Sequence, residues 1–409
     1  MNSIEDVCTQ FAKMRNAHEQ SQYIFAQPRQ DVAYLGLGLH QKIIYRRSGF
    51  ELIRGDGVTL APCEGNPFDS IRRWLAPERS SFWLVSPDLG RATHDRDLPL
   101  ILCLQPQTEH AVRLAEQGQA AHQALLLPPA EGWTTETDGR FIERLQKGIA
   151  KLKAHPDGKM ILTRPYQRPA VRLDPLRLFS LFAGSEPTAA ASHYLQIDGD
   201  SVSLGCSPEN VFEIKDQRLY FDVVAGTRGI SSDPDKDALW LKALQNDPKE
   251  RREHMMAFER YKRRIETLCA PGTVTQEHLL QVLQLGNVRH LYSRLSGQPG
   301  NDLDWLGLLA QSMPALTSYP EELQDLADDQ SAPLRYYGGI VGHVSANGED
   351  ARFYLNLRAA LIKKDTLYTQ GGVGVIAQSE PNKELLEVKN KLSGLFKAVS
   401  EWEISSTGA

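Results

Sequence analysis

Long stretches of this 409-residue chain alternate and double back within a few residues. SHYLQIDGDSVSLGCS, NVFEIKDQRLYFDVVAG and RFYLNLRAALIKKDTLYTQGGVGV read as hairpin-like strand pairs. Parallel neighbours would need long crossovers, and few βαβ units are visible. The pattern predicts an α+β fold: one large domain with two antiparallel β-sheets in its core and helices packed outside. Shorter strands occupy the first 130 residues, among them DVAYLGLGL, KIIYRRSGFELIRG and SSFWLVSP. Helical spacing marks RFIERLQKGIAKLKAH, DPLRLFSLFAG, DKDALWLKALQ, PKERREHMMAFERYKRRIETLCA and the closing ELLEVKNKLSGLFKAVSEW. Pro, Gly and Thr cluster at 126–139, the best junction between an N-terminal part of the fold (1–135) and a catalytic region (140–409).

Composition excludes several classes. A net charge of -5 argues against a general nucleic-acid footprint. The five cysteines are scattered without a CxxC pair, so neither a zinc site nor a disulfide framework is indicated. The polar start lacks a signal-peptide core, and no apolar run approaches a membrane span, so a cytoplasmic protein is expected.

Two carboxylate clusters stand out. Glu384, Glu387 and Lys391 lie at i, i+3 and i+7, on one helical face. Glu250, Glu253 and His254 form a second group. Such glutamates usually belong to solvated faces, and KERREH contains its own counter-charges. Four carboxylates on two faces, with no cysteine beside them, instead suit a hard cation such as Mg²⁺. The inverted zinc-peptidase motif needs histidine where Glu250 stands, so zinc is rejected.

Other residues carry both an ordinary and a sharper reading. Gly371, Gly372 and Gly374 end a strand, either as a tight turn or as bare backbone close to a carboxylate. A dinucleotide fingerprint does not fit, because Pro381 interrupts the helix that should follow. Arg358 sits in the apolar YLNLRAAL, where an anion partner would explain it. Lys159 opens a strand, either as a surface residue or as a desolvated base. Glu209 follows Pro208, either at an exposed turn or as a protonated acid. His290 alone reads as a core histidine.

Taken in order, nine motifs resemble the chorismate-utilising family, which includes anthranilate synthase component I, aminodeoxychorismate synthase component I, isochorismate synthase and salicylate synthase. They are KMILTR (159–164), GCSPE (205–209), AGTR (225–228), KERREH (249–254), NVRHL (287–291), YYGGIVG (336–342), LNLRAA (355–360), GGVGV (371–375) and SEPNKELLEVKNK (379–391). The match runs from about residue 140 to the end. The resemblance implies that Mg²⁺ is held by Glu253 and Glu384, supported by Glu250 and Glu387, and takes the ring carboxylate of chorismate. It implies that Arg358, Tyr337 and the backbone of Gly372 and Gly374 hold the enolpyruvyl carboxylate, with Lys391 near the metal-bound end. Gly226, Thr227 and His290 fall inside its motifs, Thr227 as a substrate contact and His290 as a catalytic candidate.

The branch turns on the nucleophile. Members that add ammonia usually carry glutamine where this chain has Lys159, and members that add water carry lysine. Aminodeoxychorismate enzymes tend to place lysine where Ala225 stands, and FERYKRR (258–264) replaces a run typical of anthranilate synthases. The expected reaction is therefore water addition at C2, with Lys159 as base and Glu209 as acid, giving isochorismate. A salicylate synthase would go on to eliminate pyruvate. Its threonine aligns with Ala315 without a gap, or with Thr317 if one is allowed, in the loop MPALTSYPEE (313–322). Thr317-Ser318 replaces the family's Ser-Gly there, which leaves a non-catalytic binder as an alternative. An ammonia-using subunit is a further alternative, although no glutaminase partner is expected.

Overall fold

A computed structural model of the chain describes residues 2–15, 21–55, 57–115, 132–231, 233–285, 288–320, 322–323 and 333–407. Its helices are α1 (Ile4–Met14), α2 (Pro67–Trp74), α3 (Asp138–Leu152), α4 (Pro175–Ser185), α5 (Pro234–Asn246), α6 (Pro248–Leu268), α7 (Trp305–Gln311) and α8 (Pro381–Thr407). The first strands are β1 (Tyr23–Gln27), β2 (Val32–Arg46), β3 (Gly49–Arg54), β4 (Gly57–Ala61), β5 (Ser81–Val85) and β6 (Ile101–Arg113). The middle strands are β7 (Thr134–Thr135), β8 (Met160–Pro169), β9 (Ala191–Gln196), β10 (Ser201–Ser207), β11 (Asn210–Lys215) and β12 (Arg218–Gly229). The last are β13 (Thr275–Leu285), β14 (Val288–Gly297), β15 (Ile340–Val344), β16 (Ala351–Leu355), β17 (Ala359–Lys363) and β18 (Thr366–Val375).

The strands form one continuous antiparallel network, which corrects the expectation of two separate sheets. The reason lies in long strands that bend without breaking. β2 pairs with β6 from Val32↔Arg113 to Tyr45↔Ile101, with one register shift between Leu39 and Gln41. Gly38 supplies a φ of 69° at that bend, a value costly for other residues. From β2 the pairing runs through β1, β9 and β10 on one side. On the other it runs through β6, β5, β15 and β16.

Two interrupted strands close this ring. β10 and β11 are separated only by Pro208-Glu209, and β16 and β17 only by Asn356, Leu357 and Arg358. The interruptions face each other: Cys206 N donates to Arg358 O at 3.0 Å, and Leu355 N donates to Glu209 O at 3.2 Å. Two wings spread from here. One is β17–β18–β8–β7, the other β11–β12–β14–β13.

Helices cover the outside by their apolar faces. Phe11 of α1, Phe179 and Phe182 of α4 and Val399 of α8 share a core with Tyr194 and Leu204. Phe258 and Ile265 of α6 and Leu309 of α7 pack on Phe212, Phe221 and Phe353. Burial of each such side chain contributes about 2 kcal/mol. For α6 this helps offset the cost of drawing Glu250 and Glu253 out of water. No helix among the described residues is long and apolar enough to cross a membrane.

Local differences from the sequence reading have simple causes. TQEHLLQVLQL lacks clean alternation and was not expected as a strand, yet it forms β13. It is an outer strand paired only with β14 among the described residues, so no face of it needs a strict apolar stripe. Residues 126–131 of the expected junction lie outside the described residues. The glycine run 371–374 is not at a strand end but inside β18, paired with β8.

Candidate active site

The cavity lies where the ring is interrupted and the wings diverge. β17 pairs with β18 only over Thr366–Thr369, whereas β8 follows β18 as far as Val375. Among the described residues, 370–375 therefore keep one edge without a strand partner, and Gln370 through Gly374 line the cavity. Lys159 and Ile161 come from the start of β8, Glu209 and Arg358 from the two interruptions. Gly226 and Thr227 come from β12, His290 from β14, and Tyr337 from the turn before β15. α6 adds Glu253, and α8 adds Glu387 and Lys391. Leu316 faces the same space, while Ala315 and Thr317 are not among the lining residues.

Glycines leave room for two of these groups. A Cβ on Gly374 would collide with Lys159 Cε and stand 3.0 Å from its Nζ. A Cβ on Gly372 would stand 2.7 Å from the Tyr337 hydroxyl. Gly374→Ala should therefore displace the Lys159 amine by about 1 Å and lower kcat roughly 10²-fold. The melting temperature should change little. Steady-state kinetics beside thermal melting checks this, and wild-type kcat would refute it.

The acidic helix is placed by its start. Asp247 caps α6, accepting from Lys249 N at 2.9 Å and Glu250 N at 3.3 Å, with Pro248 at the first helical position. His254, fully buried, donates from Nδ1 to Ala225 O at 3.0 Å and accepts at Nε2 from Ser293 Oγ at 2.7 Å. That pins α6 to β12 and β14, so His254 is a packing residue. Gly226, at φ 79°, allows the close approach, since a Cβ there would meet Glu250 O at 3.0 Å. Thr227 N donates to Glu250 Oε2 at 2.9 Å.

Three of the four expected metal carboxylates converge on an ammonium that the sequence reading did not single out. Lys249 Nζ lies 3.0 Å from Glu250, 3.3 Å from Glu384 and 3.9 Å from Glu253. Burial works against its charge, but Glu384, Glu253 and Glu250 outweigh it and hold its pKa well above the lysine range. Glu387 pairs with Lys391 at 2.7 Å, and Lys391 also donates to Gly372 O at 3.2 Å. Burial pushes the Glu384 carboxyl upward, and Glu387 adds to it. No group of three such ligands among the described residues is already at metal-binding spacing. The donor set nevertheless fits a hard cation: all oxygen, mostly buried, and with three of its four members gathered round one positive charge.

The proton-transfer candidates are electrically distinct. Burial pulls the Lys159 ammonium down, but its 2.9 Å ion pair with Glu253, and Glu209 and Glu387 beyond, keep its pKa raised. In this state Lys159 is charged, and burial alone does not make it a free base. Burial pushes the Glu209 carboxyl up to about 8, and Lys159 moderates the shift. His290 is neutral: burial and then Arg358 drive its pKa well below the usual value. Its Nε2 lies 3.4 Å from Arg358 Nη2, and its Nδ1 2.9 Å from Thr227 Oγ1. Arginine can only donate, so Nε2 accepts and Nδ1 carries the proton toward Thr227.

The loop at 313–320 is stitched to β8. Lys159 N donates to Tyr319 O and Tyr319 N to Lys159 O, both at 2.7 Å, and Ile161 N donates to Ser318 Oγ at 3.0 Å. The serine in place of a family glycine thus supplies an acceptor that fixes the start of β8 beside Lys159.

The chain belongs to the chorismate binding enzyme family, whose model matches residues 68–397. Among its sequence relatives are anthranilate synthase components 1 of Streptomyces coelicolor and Mycolicibacterium smegmatis. The first is 28% identical over 281 residues, covering 68% of this chain and 54% of the relative. The second is 31% identical over 282 residues, covering 67% and 53%. The chain thus spans about half the length of these curated relatives. Among solved structures, anthranilate synthase component I of Streptococcus pneumoniae superposes with a TM-score of 0.72 at 17% identity, covering 91% of this chain and 92% of the other. A Bacillus anthracis protein described as a 2,3-dihydroxybenzoate-specific isochorismate synthase gives 0.71 at 19%, covering 96% and 99%. The menaquinone-specific isochorismate synthase of Escherichia coli gives 0.68 at 20%, covering 93% and 90%. These structures establish the fold: α+β, of the anthranilate synthase component I type.

Proposed function

We propose that the protein converts chorismate to isochorismate in the presence of Mg²⁺. The observation that carries this reading is the pairing of an amine, Lys159, with a carboxyl that keeps its proton, Glu209, across one cavity. Glu253 and Glu384, with Glu250 and Glu387 in support, would hold the ion, which neutralises charge at the ring carboxylate when bound. Arg358, Tyr337 and the open edge at Gly372 and Gly374 would take the enolpyruvyl carboxylate. Glu253 serves both centres: Lys159 becomes a base only when Glu253 gives up the ion pair between them. The free amine then accepts a proton from water as its oxygen bonds to C2. Glu209 protonates the C4 hydroxyl, which leaves as water while the ring double bonds shift.

Thr317 is not among the residues that line the cavity, which favours isochorismate over salicylate as the product. The ammonia-using alternative keeps one point in its favour, the anthranilate synthases among the sequence relatives. Incubation with chorismate and Mg²⁺, with and without ammonia, followed by product chromatography separates the two. Isochorismate supports our reading. Anthranilate or 4-amino-4-deoxychorismate, formed only with ammonia, would overturn it.

A pH profile gives a further check. Glu209 holds its proton below about pH 8 while Lys159 is charged, and more tightly once Lys159 is a free amine, so kcat/KM should fall only as pH rises above that value. Glu209→Gln should remove this limb and about 10²–10⁴-fold of the rate. An unchanged alkaline limb in the variant would assign it to another group.

A further inference from the structure

We propose that Glu186 is the positioning residue that aims the Arg358 guanidinium at the substrate's side-chain carboxylate and offsets its charge; this rests on the chorismate reading above. Glu186 follows the last residue of α4 and is 3% exposed. It is not a cavity-lining residue, so it acts only through the arginine. Its Oε2 accepts from Arg358 Nη1 at 2.7 Å, and the two side chains are 4% and 6% exposed.

The surroundings are shaped to this carboxylate. A Cβ on Gly394 of α8 would stand 2.7 Å from Glu186 Oε1. The Glu186 backbone is fixed on both sides, N donating to Ala183 O at 3.1 Å and O accepting from Ala189 N at 3.0 Å. Arg358 itself sits at φ 46°, a left-handed conformation forced by the interruption between β16 and β17. A long side chain leaving such a backbone has several staggered paths. Glu186 on one nitrogen and His290 Nε2 3.4 Å from the other select one of them. Arg358 lines the cavity, and its fork has further N–H donors beyond these two contacts.

Charge follows from the same contact. A guanidinium paired with a buried carboxylate is neutral in sum, so the site takes its anion through directed N–H donors more than through unbalanced positive potential. Loss of orientation and loss of charge compensation then act in opposite directions on binding, and two variants tell them apart. Glu186→Leu removes both the acceptor and the charge. Glu186→Gln keeps an acceptor of the same length and removes only the charge.

Calorimetric titration with chorismate and Mg²⁺ reads the affinity. The expected result is at least a tenfold weaker Kd in Glu186→Leu, with KM rising alongside and kcat moving less. Glu186→Gln should bind as tightly as the wild type or more tightly. Wild-type affinity in Glu186→Leu, or a tenfold loss in Glu186→Gln, would overturn the proposal. If Glu186→Leu does not fold, the Glu186→Gln comparison decides alone by the same criterion. A wild-type protein that binds no chorismate would overturn both this and the functional reading. One that binds it without forming isochorismate would overturn only the latter.

Discussion

Lys159→Ala should lower the rate of isochorismate formation by about 10²–10⁴-fold, the span usual for loss of a positioned base. Chorismate should still bind, because the anion cradle comes from β18, Tyr337 and Arg358. Lys159 enters the cavity from the position just before β8, over a glycine whose Cβ would collide with it. No other amine replaces it readily: Lys391 is tied to Glu387 at 2.7 Å and to Gly372 O, and Lys249 lies among three carboxylates. Added methylamine should restore part of the activity, since it can occupy the space of the lost side-chain end. Isochorismate formation at the wild-type rate in Lys159→Ala would remove the base role outright.

Arg358→Met should damage stability and binding together. It leaves the Glu186 carboxylate buried without its partner, a change that costs about 3–5 kcal/mol when one member of a buried pair is removed. Burial already pushes the Glu186 carboxyl upward even beside Arg358. In the variant the folded protein should hold the Glu186 proton still more tightly, while the unfolded chain releases it near the ordinary glutamate value. Stability from this group therefore falls as pH rises from that value toward the raised folded one. Urea denaturation should show a smaller penalty at pH 5 than at pH 8. The double variant Arg358→Met/Glu186→Leu should recover most of the loss, without recovering chorismate affinity. An Arg358→Met protein as stable as the wild type at pH 8 would show that the pair is energetically silent.

Much of the site was legible because its signals are short and local. Glu384, Glu387 and Lys391 share a helical face by spacing alone, and α8 brings Glu387 and Lys391 to the cavity wall. KERREH was read as carrying its own counter-charges, and Lys249 is indeed one, but inside the carboxylate cage. A helical wheel places side chains around an axis; it does not say which neighbours will seal them from water. Glu186 gave no signal, because its partner is 172 residues away and it sits just beyond an ordinary helix end. The sheet count failed for a related reason. Local alternation identifies strands, but joining them into one network depends on β2 and β6 bending at a single bulge, and on two broken strands meeting end to side. Glycine weakens strands, yet pairing with β8 holds the glycine run inside β18.

The division of labour in the ring has a consequence of its own. Among the described residues, none before Lys159 lines the cavity. Yet β1 and β5, from the first hundred residues, are the strands that flank β9 and β15. Substitutions in that early part of the chain should accordingly change how much folded protein a cell accumulates, and leave the chemistry of each surviving molecule as it was.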